Sequence, residues 1–181
     1  MDGYAGANPL KDDDARRRFE AQVLPHLDAA WNLARWLMRN HHDAEDVVQD
    51  ACARAFQFID SLRGDKARPW LLGIVRNCAY TRLEANRKAA PAGDETQIEA
   101  TDPGPEALAA LSDERRRVNT ALRRLPVEFR EVLVLREIEE LSYREIAQVA
   151  GIPIGTVMSR LARGRQLLIA HFAAGEKEGL R

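Results

Sequence analysis

The chain has 181 residues, a net charge of −1, few aromatics and two cysteines, Cys52 and Cys78, without a CxxC spacing. The length suits one medium domain or two small ones, and the abundance of Ala, Leu, Arg and Glu favours helices; with no disulfide framework the expected compartment is the reduced cytoplasm. The stretch MDGYAGANPLKDDDARRR has no apolar core, which argues against a secretory signal, and no uncharged apolar run approaches the ~20 residues of a membrane span, so no membrane insertion is expected.

Residues 1–15 are expected to be a tail, with apolar periodicity beginning near Phe19. Residues 26–39 place Leu27, Trp31, Leu33, Ala34 and Leu37 along one helical side, after a break at Pro25. The next helix carries Ala44, Val47, Val48, Ala51, Cys52, Ala55, Phe56 and Ile59 at spacings of three and four, with Asp43 and Asp46 placed to cap it. DSLRGDKARP interrupts, and a further helix is expected over about 69–88.

Residues 89–112 mix three prolines and two glycines with five acids and no base, for a net charge of −5. Such a composition makes a flexible, solvated linker. The expected fold is therefore all-α: two small helical domains, 16–88 and 113–173, joined by the acidic linker 89–112 and followed by a tail at 174–181.

In the second domain the stretch LSYREIAQVAGIPIGTVMSRLARGRQLL has the grammar of a helix-turn-helix. Ser142 and Glu145 form a capping box, Ile146, Ala147 and Ala150 give a small inner face, and Gly151 suits a left-handed turn. The following helix buries Val157, Leu161, Gly164 and Leu168. It displays Gly155, Thr156, Ser159, Arg160 and Arg163 on the other side, with no acid between Pro153 and Leu168. Hydroxyls and guanidinium groups on an exposed helix face bond phosphates and base edges, and free amides at the helix start favour a phosphate. A helical hairpin with solvated arginines is the plainer alternative.

The two long helices of the first domain are oppositely charged. Residues 42–60 carry a net −4 and residues 61–88 a net +5, which suggests two different partners. On the basic helix Leu71, Ile74, Val75 and Cys78 face inward, while Gly73, Arg76, Asn77, Tyr80, Glu84 and Arg87 make an outer stripe. An aromatic for stacking, an amide for a base edge and arginines for a backbone suit a single nucleic-acid strand. An ordinary amphipathic helix with a solvated face fits that stripe equally well. His26, His41, His42 and His171 have no metal-ligand spacing, and there is neither a phosphate-binding glycine loop nor a nucleophile motif. No catalytic residue, metal or cofactor is expected.

DAEDVVQDACARAF (43–56), LRGDKARPWLLGIVRN (62–77) and LPVEFREVLVLREIEELSYREIAQVAGIPIGTVMSRLARGRQLL (125–168) together resemble three signature segments of one family. The family is the extracytoplasmic-function subgroup of the bacterial sigma-70 family of RNA polymerase sigma factors. The resemblance covers about residues 16–172, in order and with the linker in place. It implies an alternative sigma factor that binds core RNA polymerase and recognises −10 and −35 promoter elements. Region 2 would use Asp46, Gln49 and Asp50 on the β′ clamp helices. Arg63, Trp70, Arg76, Asn77, Tyr80 and Arg87 would take the melted −10 strand. Region 4 would place Gly155, Thr156, Ser159, Arg160 and Arg163 in the −35 major groove, with the surface around 133–140 toward the β flap. The resemblance also implies an anti-sigma factor as a partner. Three positions depart from the family's usual pattern: Thr81 stands where aspartate is frequent, Ile154 where serine or proline is, and Gly164 where alanine is. With aromatics sparse around the basic helix, weak melting and dependence on closely matched promoters are expected. A helix-turn-helix regulator binding duplex DNA as a dimer is the alternative, and an adaptor that binds polymerase without reading promoters is a third.

Overall fold

The computed structural model describes residues 9–38, 40–89 and 113–178, and every regular element among them is helical. Four helices come from the first half: α1 (Pro9–Gln22), α2 (Leu27–Leu37), α3 (His41–Gln57) and α4 (Ala67–Ala89). Short 3₁₀ turns at Leu24–His26 and Ile59–Ser61 reorient the chain. Four more follow: α5 (Asp113–Arg124), α6 (Val127–Leu133), α7 (Tyr143–Ala150) and α8 (Ile154–Glu178).

In the first bundle α2, α3 and α4 pack mutually. Leu33, Leu37, Val47, Ile59, Leu71, Leu72 and Val75 are fully or almost fully buried there, and the alanines Ala30, Ala34, Ala44, Ala51 and Ala55 join them. Alanine keeps helix propensity high while letting neighbouring helices approach closely. Helix α3 starts earlier than its acids suggest. Asn40 is the cap, its side-chain oxygen accepting from the Asp43 amide at 2.7 Å. The expectation that Asp43 and Asp46 cap the helix is thus corrected: asparagine supplies the oxygen one turn earlier, and Asp43 turns to other partners. Helix α1 begins at Pro9, within the stretch expected as a tail, and α8 continues to Glu178. The linker, apart from Ala89, lies outside the described residues.

In the second bundle Val132, Leu135, Ile146, Val157 and Leu161 form the buried centre. The capping box is present on both sides: Ser142 accepts from the Glu145 amide and Glu145 accepts from the Ser142 amide. Gly151 ends α7 at φ +64, a left-handed conformation that costs glycine nothing. At Gly164 a β-carbon would sit 3.0 Å from Leu133 Cδ1, so its missing methyl lets α8 lie close to α6. Between α6 and α7 the chain makes a π-helical turn, Val134–Ile138, and Glu140 follows at φ +52. A residue with a β-carbon in that region costs roughly 1–2 kcal/mol relative to a right-handed one.

The two bundles form one body. Helix α7 packs along α4 and α6 against α2, and the buried apolar residues of both halves join into a single cluster. The contact is polar as well. Arg76 and Tyr80 of the first bundle bond Glu131 of the second, Arg68 and Asn32 bond Glu139, and the Arg123 guanidinium lies 5.6 Å from the Trp36 ring centre.

Candidate nucleic-acid interface

Helix α8 starts after Pro153, whose carbonyl accepts from the amides of Thr156 and Val157. Val157 and Leu161 lock its inner side into the core. That fixes its outer side: Gly155, Ser159 and Arg163 are exposed, and Thr156 and Arg160 half-buried. Met158, 54% exposed, stands among them. The Ser159 hydroxyl donates back to the Thr156 carbonyl at 3.0 Å, and Arg163 reaches Gln166 at 3.4 Å. Arg165, on the same helix, is held by Glu137 at 2.7 Å.

The outer stripe of α4 divides in two. Asn77 and Arg87 are exposed, as is Arg63 on the preceding loop, and Trp70 is half-buried. Asn77, Tyr80, Thr81 and Arg87 border an open groove of about 690 Å³ that Val127 closes on one side. Arg76 and Tyr80 do not face solvent freely. Arg76 donates to Glu131 Oε1 and lies over the Tyr80 ring, 4.2 Å from its centre, while the Tyr80 hydroxyl donates to Glu131 Oε2 at 2.9 Å. The Glu131 side chain is fully buried. Burial, then the neighbouring Glu131 charge, pushes the Tyr80 phenol far up. Burial also raises the Glu131 carboxyl above its ordinary value, against the opposing pull of Arg76, Tyr80 and Arg160. Helical periodicity places Arg76 and Tyr80 on the outer side of their bundle; it does not disclose that a second bundle covers them.

The acidic side of α3 is arranged differently. Arg82 of α4 donates to Asp43 Oδ1 at 2.9 Å and to Asp46 Oδ2 at 2.8 Å. Asn40 and Asn86 complete the Asp43 carboxylate at 2.8 and 3.1 Å. Burial favours the neutral acid, but the bonds from Asn40, Arg82 and Asn86 outweigh it and hold the carboxyl below its ordinary value. Asp46 is thus partly engaged, whereas Gln49 and Asp50 are exposed one turn on. His41 and His42 sit beside Glu45 and Asp46 at 3.2 and 3.9 Å, as i,i+4 pairs on the solvent side. Arg68, Arg82, Glu131 and Glu139 carry much of the geometry and were not singled out as site residues by sequence. Their signal is only a charge at a helix position that periodicity leaves outside the core.

The described residues thus set a helix-turn-helix with an exposed basic face beside a helical bundle that carries a second basic stripe and a separate acidic one. Residues 23–89 match the family model for Sigma-70 region 2, and residues 115–168 that for Sigma-70, region 4. The chain is 35% identical over 184 residues to the ECF RNA polymerase sigma factor SigE of Mycolicibacterium smegmatis, covering 97% of this chain and 70% of that protein. It is 36% identical over 137 residues to the ECF RNA polymerase sigma-E factor of Escherichia coli K12, covering 70% and 72%. Among solved structures it is similar to the sigma factor RpoE in complex with the anti-sigma factor NepR from Bartonella quintana. That match has a TM-score of 0.73 and 30% identity over 86% of this chain and 96% of the other. It is also similar to CnrH in complex with the cytosolic domain of CnrY, with a TM-score of 0.65 and 27% identity over 93% and 99%. The chain belongs to the extracytoplasmic-function sigma factors of the sigma-70 family. It is an alternative sigma factor, which works with core RNA polymerase on promoter DNA and directs the start of transcription.

Proposed function

We propose that the two bundles divide promoter recognition between them, residues 16–88 acting as region 2 and 113–173 as region 4, with 89–112 as the linker. In this reading α8 enters the −35 major groove, with Thr156, Ser159, Arg160 and Arg163 at base edges and phosphates and Gly155 allowing close approach. Arg63, Trp70, Arg76, Asn77, Tyr80 and Arg87 hold the melted −10 strand by stacking and charge. Asp46, Gln49 and Asp50 meet the β′ clamp helices, and the 133–140 turn meets the β flap. The observation that carries the reading is the outer face of α8: Gly155, Ser159 and Arg163 are exposed on it, no acid stands on that helix before Leu168, and its start is fixed by a capped, glycine-turned hairpin. The chain has no chemical step of its own to perform; it positions the polymerase. It acts in the cytoplasm, where promoters are. No described helix is long and apolar enough to cross a membrane. An anti-sigma factor is the proposed antagonist, supported by the RpoE structure above, which contains one.

Run-off transcription with reconstituted holoenzyme tests this. A genomic promoter library should yield discrete transcripts that depend on both elements. Arg160→Ala or Arg163→Ala should weaken promoter binding by about 1–3 kcal/mol where the arginine contacts a base edge, with core polymerase binding retained. Library transcripts that never depend on the added protein would overturn the reading.

A further inference from the structure

Val157 and Leu161 hold α8 against the core, and the rest of its first three turns carries two columns of different chemistry. Thr156, Ser159, Arg160 and Arg163 make the polar column assigned above to base edges and phosphates. Ile154, Met158 and Ala162 recur every fourth residue beside it, and all three are exposed. Residues four apart are neighbours on a helix surface, so these three form one apolar strip. Ile154 is 42% and Met158 54% exposed, which leaves much of each side chain uncovered by the bundle. A β-carbon on Gly155 would meet nothing within 4 Å. Glycine there answers no packing demand and leaves Met158 open to approach from outside.

The two columns are too close to meet different partners. A helix with its side chains is about 10–12 Å across, and the major groove is about 12 Å wide. A duplex that receives the polar column therefore surrounds the apolar one as well. The fit is closest over the first turns of the helix, where helix-turn-helix readers touch base edges. In that groove the base pairs present donors, acceptors and one apolar group, the C5 methyl of thymine. Opposite a donor or acceptor, Met158 would strip water from a polar edge and give no bond in return. Opposite a thymine methyl, both groups leave water favourably. Methionine is unbranched and polarizable, so its side chain can follow a methyl that it meets off-centre.

We propose that Met158 reads thymine in the −35 element by packing against its C5 methyl, with Ile154 extending the apolar strip one turn earlier. The proposal rests on the assignment of α8 to the −35 groove. It adds an apolar readout to the hydrogen-bonding residues, one that separates A·T from G·C and fixes which strand holds the thymine.

The test uses holoenzyme reconstituted with the full-length chain and a promoter duplex recovered from the run-off library. Its −35 thymines, on either strand, are replaced one at a time by deoxyuridine, which lacks only the methyl. Fluorescence anisotropy should show about fourfold weaker binding at one position or more, the size expected when one buried methyl is lost. Met158→Ala should weaken binding to the thymine duplex and equalise thymine and uracil at one such position. Met158→Leu should restore the preference. Because Met158 is exposed, both variants should keep the parent's thermal unfolding curve. Uracil tolerated at every −35 position, a preference unchanged in Met158→Ala, or an element without an A·T pair overturns the proposal. Scrambling the −35 element separates that failure from failure of the groove assignment. If scrambling leaves the parent's binding unchanged, α8 does not read the element; if scrambling weakens binding and uracil does not, only the thymine contact falls.

Discussion

Helix α4 sends two arginines to carboxylates on other helices, and the two pairs differ in almost every physical respect. Arg82 meets Asp43 and Asp46 inside the first bundle, where Asn40 and Asn86 share the work and solvent reaches the guanidinium. Arg76 meets Glu131 across the boundary between bundles, where the carboxylate is fully buried and also accepts from the Tyr80 hydroxyl. The first acid is held below its ordinary pKa and the second above it. Both carboxylates are buried, but the bonds to Asp43 outweigh the cost of burial and those to Glu131 do not.

Arg76→Ala should have the largest effect. Were the bundles to stay together, an uncompensated buried Glu131 would cost about 3–5 kcal/mol. The chain is therefore expected to open rather than unfold, giving a larger radius of gyration with helix content unchanged. Arg82→Ala should do the reverse. Asp43 keeps two amide donors, so the loss is about 1 kcal/mol in thermal unfolding, with the bundles still closed. An Arg82→Ala chain that opened would break the contrast.

Acid should separate the two acids by sign. Asp43 is depressed from 3.8, so its contribution is complete above that value and lost as pH falls through its folded value. Glu131 is raised from 4.5, so closure is favoured as pH falls through its folded value and weakens as pH rises above it. Scattering should show a tighter chain in mild acid, before circular dichroism shows the first bundle losing stability at lower pH. Burial drives that rise and the charges of Arg76 and Arg160 and the Tyr80 bond oppose it; Glu131→Gln should abolish the tightening and leave the acid unfolding. The smallest effect is expected at Glu140, where Glu140→Gly should raise the melting stability by up to about 1 kcal/mol by removing a β-carbon from a left-handed position.

The helices themselves were legible because their apolar residues repeat at three and four and because Ser142, Glu145, Gly151 and Pro153 punctuate the second bundle. The helix-turn-helix and the exposed face of α8 followed from those residues alone. The roles proposed for the acidic and basic stripes come from the family's three segments and not from the stripes themselves. Other features were not written locally. Asn40 looked like one more polar residue, so Asp43 seemed the cap. Glu131 is a charge on α6 that local spacing does not place in a core, yet it is fully buried and bonded by Arg76 and Tyr80 of α4. The π turn adds a residue that apolar spacing does not mark, and Glu140 adopts a left-handed conformation without the glycine that would have announced it. Gly164 reads as a departure in sequence and becomes intelligible beside Leu133.

The segment from Glu139 to Ser142 joins the Glu139 contacts with Arg68 and Asn32 to the cap of α7 within three peptide bonds. It has little slack: the Leu141 amide is tied to the Leu135 carbonyl at 3.0 Å, and Arg136 donates to the Leu141 carbonyl at 2.9 Å. Glu140 stands in it with its backbone in a sparsely populated well. So short and so fully bonded a connection ties the position of Glu139 to that of Ser142, and through it to α7, which packs against α8.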